Sequence, residues 1–227
     1  MKITYYGHAS LGIEVNGTNI IVDPFISANE LAKHIDVNSL KADYILITHA
    51  HGDHILDVET IAKNTGATIV SNAEIAGYYE AKGFKTHPMN HGGSWQFNFG
   101  KVKYVNAIHS SSFPDGTYGG QPGGFVIEAD NKNVYIAGDT ALTYDMKLIS
   151  MRNPLDLAIL PIGDNFTMDV DDAALAAEFL EVTTVLGYHY DTFGYIKIDH
   201  EVAKQKFANK HKELILLPVG NSMEISK

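Results

Sequence analysis

The stretch Thr48-His49-Ala50-His51-Gly52-Asp53-His54 gathers three imidazoles and a carboxylate immediately after the apolar run Tyr44-Ile45-Leu46-Ile47. Imidazole nitrogen suits zinc, nickel and iron, and a carboxylate adds a harder oxygen ligand. His49 and His51 lie two apart and point the same way if the chain stays extended on leaving a strand. Gly52 is expected to let the backbone bend, so that Asp53 and His54 face a neighbouring point. One tetrahedral ion is poorly served by all four ligands from so short a loop. The spacing therefore favours two adjacent ions, each completed from elsewhere in the chain. An ordinary polar surface loop would account for a lone histidine but not for this density of ligand types.

Composition narrows the classes of partner. The chain has 227 residues, enough to bury one substantial core, and a single domain over 1–227 is the simplest expectation. With 27 acidic and 17 basic residues the formal charge is -10, which argues against general nucleic-acid binding. A phosphate-bearing small molecule stays compatible, because bound metals add positive charge locally. There is no cysteine, which rules out disulfides, thiolate zinc sites, iron–sulfur clusters and a Cys nucleophile. The opening residues MKITYYGHAS lack an apolar signal core, and no run approaches the length of a membrane helix. A soluble, cytoplasmic protein without a membrane partner is expected, with an even-numbered homo-oligomer as the default assembly.

The elements that must carry these residues follow from pattern. Ile3 to Tyr6, Leu11 to Val15 and Asn19 to Val22 read as antiparallel strands, with Asn16-Gly17 a strong hairpin signal. Asp23-Pro24 stops the third strand. Ile26 to Lys41 is weakly helical and polar, a connecting lobe. Tyr44 to Thr48 is a buried strand feeding the motif, followed by a helix over Leu56 to Asn64, a strand over Thr68 to Val70 and a helix over Asn72 to Lys82. The pattern changes after Pro88 to strands over Trp95 to Phe99, Lys101 to Ile108, Phe125 to Ala129 and Val134 to Ala137. The glycine-rich run Gly116 to Gly124 reads as a flexible loop near the site. A short helix over Tyr144 to Ser150 leads to a strand over Leu157 to Leu160 and a helix over Asp171 to Glu181. A strand over Thr184 to Leu186, a helix over Asp199 to Lys210 and a strand over Leu214 to Leu217 finish the chain. The change from α/β to β-meander and back suggests two related halves, and the ligand types recur just past strand ends.

These features together resemble the metallo-β-lactamase superfamily, whose signature has the form HxHxDH. The chain looks most like its small single-domain branch related to ascorbate-phosphate lactonases. The likeness rests on Gly7-His8-Ala9-Ser10, Asp23-Pro24, the motif itself, His109, Gly138-Asp139-Thr140 and His189. It implies an α/β fold, a four-layer αββα sandwich with metals at one rim. It implies that His49, His51 and His109 bind one ion and that Asp53, His54 and His189 bind the other. Asp139 would bridge them. The implied cofactors are two divalent ions, zinc first, with manganese, nickel or iron as alternatives.

The corresponding activity is a metal-dependent hydrolase acting through a metal-activated hydroxide on a small-molecule lactone, ester or phosphodiester. Asp53 is a candidate catalytic residue as well as a ligand, or a general base beside a single ion. His8 is a second catalytic candidate, with a turn role as its alternative. Asp23 is either a cap or a partner that holds a ligand imidazole in one tautomer. His87 and His91 read as structural, and Asp164 and Asn165 either support the site or cap their own loop. A di-iron oxygen or nitric-oxide reductase and a non-catalytic metal-binding interaction protein are the competing classes.

Overall fold

A computed structural model describes residues 1–225 except residue 153. Its strands are β1 (Lys2–Gly7), β2 (Ser10–Val15), β3 (Thr18–Val22), β4 (Tyr44–Leu46), β5 (Thr68–Asn72), β6 (Thr86–Met89) and β7 (Ser94–Gln96). They continue as β8 (Lys101–Asn106), β9 (Gly123–Ala129), β10 (Lys132–Ile136), β11 (Leu157–Pro161), β12 (Thr184–Tyr188), β13 (Glu213–Ile215) and β14 (Ser222–Glu224). The helices are α1 (Gly52–Ile55), α2 (Val58–Thr65), α3 (Ala73–Glu80), α4 (Met146–Ser150), α5 (Val170–Phe179) and α6 (His200–Asn209).

The strands form two sheets, ordered β14-β1-β2-β3-β4-β5-β6 and β13-β12-β11-β10-β9-β8-β7. In each sheet three antiparallel strands, β1-β2-β3 or β8-β9-β10, pass into a parallel run. The expectation of two related halves thus has a topological basis. Ile13, Val22 and Leu46 of one sheet pack against Tyr104, Phe125 and Ile159 of the other, making the central core. Two further apolar layers lie between the first sheet and α1 to α3, and between the second sheet and α4 to α6. This is the αββα sandwich. Among the described residues no helix is long and apolar enough to cross a membrane.

Local chemistry explains most boundaries. Asn16 and Gly17 have φ of 49° and 74°, the left-handed pair that a tight two-residue hairpin requires. The side chains of Asn72, Asp169 and Asp199 accept backbone N–H groups that start α3, α5 and α6. The connecting lobe contains only two short 3-10 turns, Glu30–Ala32 and Val37–Ser39, capped by Asn29 and Asp36.

Several expectations are corrected. The helix anticipated from Leu56 begins two residues later, at Val58, because Asp57 accepts the backbone N–H groups of Ile26 and Ser27 and donates its own to Pro24. Strand β6, which the sequence pattern did not anticipate, runs through Pro88. An edge strand tolerates proline because one row of its backbone groups needs no partner. Phe97 to Gly100 form a turn closed by reciprocal backbone bonds, so only Ser94 to Gln96 remain strand. The glycine-rich segment is not a flexible loop throughout. Gly119 and Gly120 are buried, Asn72 donates to the carbonyls of Gly119 and Gln121, and Gly123 and Gly124 open β9.

Strands β1, β3 and β4 share one direction, as do β8, β10 and β12. Their C-terminal ends deliver His8, Asp23, the His49–His54 motif, His109, Asp139 and His189. Topology alone gathers them.

Candidate metal centre

The motif leaves β4 through a bend at Thr48, is extended at His51 and then turns into α1, whose first residue is Gly52. The bend is a helical turn. Gly52 does not take a left-handed φ, and a Cβ there would make only ordinary contact with Pro114, so the conformational freedom anticipated for it is not what turns the chain. Gly138 is the glycine that the site needs. Its φ is 67°, and a Cβ would lie 2.8 Å from both the Gly123 carbonyl oxygen and Thr48 Cβ. That close approach brings Asp139 down between the histidines.

Four imidazoles surround one oxygen of Asp139. From Oδ2 the Nε2 atoms of His189, His54, His109 and His49 lie at 3.0, 3.3, 3.6 and 3.9 Å. His49, His51 and His109 form one group of converging ligand atoms, and Asp53, His54 and His189, joined by His8, form another. All of the metal ligands expected from the sequence meet here.

Hydrogen bonds on the outer nitrogens set the tautomers of His54 and His49. His54 Nδ1 donates to Asp23 Oδ2 at 2.9 Å, leaving Nε2 to face Asp139. Thr48 Oγ1 donates to Asp23 at 2.6 Å and therefore accepts from His49 Nδ1 at 3.1 Å. His51 Nε2 lies 3.3 Å from Ser110 Oγ, so its Nδ1 points at His49 Nε2, 3.0 Å away. Asp23 is thus the tautomer-setting partner, not merely a cap, and Ser10 Oγ braces its loop through the Asp23 carbonyl and Phe25 N–H.

Converging lone pairs repel unless a cation lies among them. His54 Nε2, both ring nitrogens of His189 and Asp139 Oδ1 are buried without a hydrogen-bond partner, despite their short distances to one another. Unpaired buried polar atoms are costly, and this donor set of imidazoles and carboxylates fits divalent transition metals. Electrostatics agrees. Burial opposes charge on His54, yet Asp139 and Asp23 raise its pKa well above the ordinary value, a sign that the site demands positive charge. Burial and the neighbouring His54 push His49 the other way, keeping it neutral and fit to ligate. Burial also opposes charge on Asp139, but His189 and His54 hold its carboxylate well below the usual range.

His8 sits behind Asp53. It is fully buried with φ 54°, its Nε2 lies 3.0 Å from Asp53 Oδ2, and its Nδ1 meets Thr192 Oγ1 at 3.1 Å. Burial and the adjacent His189 lower its pKa to about 4. Burial opposes charge on Asp53, but the His8 hydrogen bond and nearby imidazoles depress its carboxylate pKa. Other residues fall outside the centre. His87 packs against Trp95 and Phe97, His91 contacts the Pro122 carbonyl, and Asp164 accepts the Asn165 N–H in its own turn. The sequence reading assigned no role to Thr192 or to the aromatic walls Phe113, Phe166, Phe193 and Tyr195, which line the cleft above the centre.

A model of the beta-lactamase superfamily domain matches residues 18–190. A metal-dependent hydrolase of the UPF0173 group from Flavobacterium johnsoniae is 72% identical over 99% of this chain and 100% of its own length. A relative of the same description from Christiangramia forsetii is 66% identical over 99% of this chain and 100% of its own length. The solved structure of Igni18, a metallo hydrolase from the archaeon Ignicoccus hospitalis, superposes with a TM-score of 0.89 at 35% identity, covering 98% of this chain and 97% of that one. The chain belongs to the beta-lactamase superfamily. Within it, the protein is a metal-dependent hydrolase.

Proposed function

We propose that the centre is dinuclear, with His49, His51 and His109 around one ion, Asp53, His54 and His189 around the other, and Asp139 between them. The reading rests on the convergence of four Nε2 atoms from three parts of the chain on one Asp139 oxygen. Bound divalent ions would supply a water acidified to a pKa of about 7 and a polarised carbonyl or phosphoryl oxygen. The chain supplies the rest. Asp139 offsets charge between the two ligand groups. Asp23, Thr48 and Ser110 hold the rings in their ligating tautomers. Asp53 is partly open to the cleft, with 30% of its side chain exposed, and would orient the attacking water as well as ligate.

His8 is a positioning residue, because it is buried and reaches the reaction only through Asp53. His8→Gln is expected to lower kcat by about 10- to 100-fold. Its metal content should stay at the wild-type value, which separates positioning from ligation. Loss of an ion in that variant would reassign His8 as a ligand.

The substrate is a small lactone, ester or phosphodiester, zinc is the preferred metal, and the protein works in the cytoplasm as one domain over 1–227. The central core supports the domain assignment, since it draws on strands from β1 to β12 with Met223 packed against it. Reconstitution with zinc or manganese should load two ions per chain, and a lactone and phosphodiester panel should show turnover that Asp139→Ala lacks. Sub-stoichiometric binding of both metals would overturn the dinuclear assignment, and oxygen uptake by an iron-loaded sample would move the reading to redox chemistry.

A further inference from the structure

Above the metal-binding residues lies an open cleft of about 1160 Å³, large enough for a small organic molecule. His51, Asp53, His109, Asp139 and His189 lie at its base, while Phe113, Pro114, Phe166, Phe193 and Tyr195 line its walls. Among the described residues, no lysine or arginine lines the cleft. Lys101, Lys103 and Arg152, the sole arginine, line a different cavity with His91 and Asp145. An anionic group on the outer part of a substrate would meet aromatic faces instead of the guanidinium or ammonium groups that normally bind it.

The aromatic rim is built to face outward. Phe166 and Tyr195 are 51% and 79% exposed, with ring centroids 6.3 Å apart at 82°. Phe166 follows Asp164 and Asn165, whose φ of 64° and 56° are left-handed, and its N–H closes a tight turn on the Asp164 carbonyl. Two non-glycine residues held in that region are a local cost that apolar burial would normally avoid, yet here they support an exposed ring. Tyr195 is carried on the 3-10 turn Gly194–Ile196, anchored by buried Ile196, whose carbonyl accepts the Asp191 N–H. The same loop holds Thr192 against His8, so the rim and the support of Asp53 share one segment.

We propose that this cleft selects a substrate that is uncharged beyond its scissile group and carries a flat apolar body, an ester or lactone seated on Phe166 and Tyr195. The proposal rests on the hydrolytic reading above and narrows it, because it disfavours substrates that carry an anionic group away from the scissile bond. Aromatic contacts of this kind hold such a body without an opposite charge.

The test uses the zinc-loaded enzyme with two matched esters, 4-nitrophenyl valerate and 4-nitrophenyl hemiglutarate, which share a leaving group and differ by a terminal carboxylate. The uncharged ester should show a kcat/KM at least about tenfold higher, and Phe166→Ala and Tyr195→Ala should each raise its KM roughly tenfold. Saturation-transfer NMR with the unreactive amide N-phenylvaleramide gives a second readout on metal-free and loaded protein, and its signal should fall in both variants. Equal or better turnover of the carboxylate ester, or a KM and NMR signal unmoved by both substitutions, would overturn the proposal. No ester turnover together with rim-dependent amide binding would support the ligand class and count against hydrolysis, so the two readings fail separately.

Discussion

Asp139→Ala is expected to abolish metal-dependent stabilisation and to lower hydrolytic turnover by at least about 10³-fold, or about 4 kcal/mol of transition-state stabilisation. Its Oδ2 atom is the point on which His49, His54, His109 and His189 converge, so one substitution disturbs both ligand groups. For the wild type, a metal at about 1,000 times its Kd stabilises the folded state by about 4.1 kcal/mol. At about 2–4 °C per kcal/mol for a chain of this size, loading should raise Tm by roughly 8–16 °C. The variant should show little of this rise. Its metal-free stability should change much less, because losing the carboxylate that draws positive charge onto His54 is opposed by removing the unpaired buried Oδ1 atom. Differential scanning calorimetry with and without zinc, alongside metal analysis, measures both terms. A full wild-type Tm rise in Asp139→Ala would show that the ions bind elsewhere.

Asp23→Ala should be the most destabilising single change near the centre, by about 3–5 kcal/mol. Asp23 is fully buried and accepts from Thr48 N at 2.8 Å, Thr48 Oγ1 at 2.6 Å and His54 Nδ1 at 2.9 Å. Removing the acceptor orphans three donors in a dry site. It also frees His54 to turn or change tautomer, which should weaken metal binding by about 10- to 100-fold. Asp23→Asn is the matched control, because Asp23 has φ 43°, a conformation asparagine tolerates better than alanine. Asparagine keeps one acceptor oxygen but turns an amide N–H toward a donor, so an intermediate loss is expected. Urea unfolding and zinc titration together check the assignment. A loss of stability with unchanged zinc affinity would leave Asp23 a purely structural role.

The site was more legible than the details of its support. The His49–His54 motif could be recognised because its ligands are close in sequence and follow a short apolar strand. Likewise, the Asn16-Gly17 hairpin and the capping residues Asp169 and Asp199 act over a few positions, so their signals are local. Strand β6 was hidden by Pro88, whose compatibility depends on its being at a sheet edge. Strand β14 was hidden because Ser222 to Glu224 have little apolar pattern and form a strand by pairing with β1. Asp57 delays the start of α2 through bonds to Ile26 and Ser27, a long-range competition that no helical period reveals.

Sequence alone determined which side chains are available, the imidazoles and carboxylates, and their places beyond strand ends. Only the tertiary structure decided how those groups face one another. Stacking two sheets with like-directed strands at one rim brings His109, Asp139 and His189 to the motif and seats His8 behind Asp53. It also assembles the aromatic cleft while placing Lys101, Lys103 and Arg152 in another cavity. The reason is physical: residue type and local spacing set which bonds a side chain can make, but convergence across distant segments depends on packing the two sheets face to face.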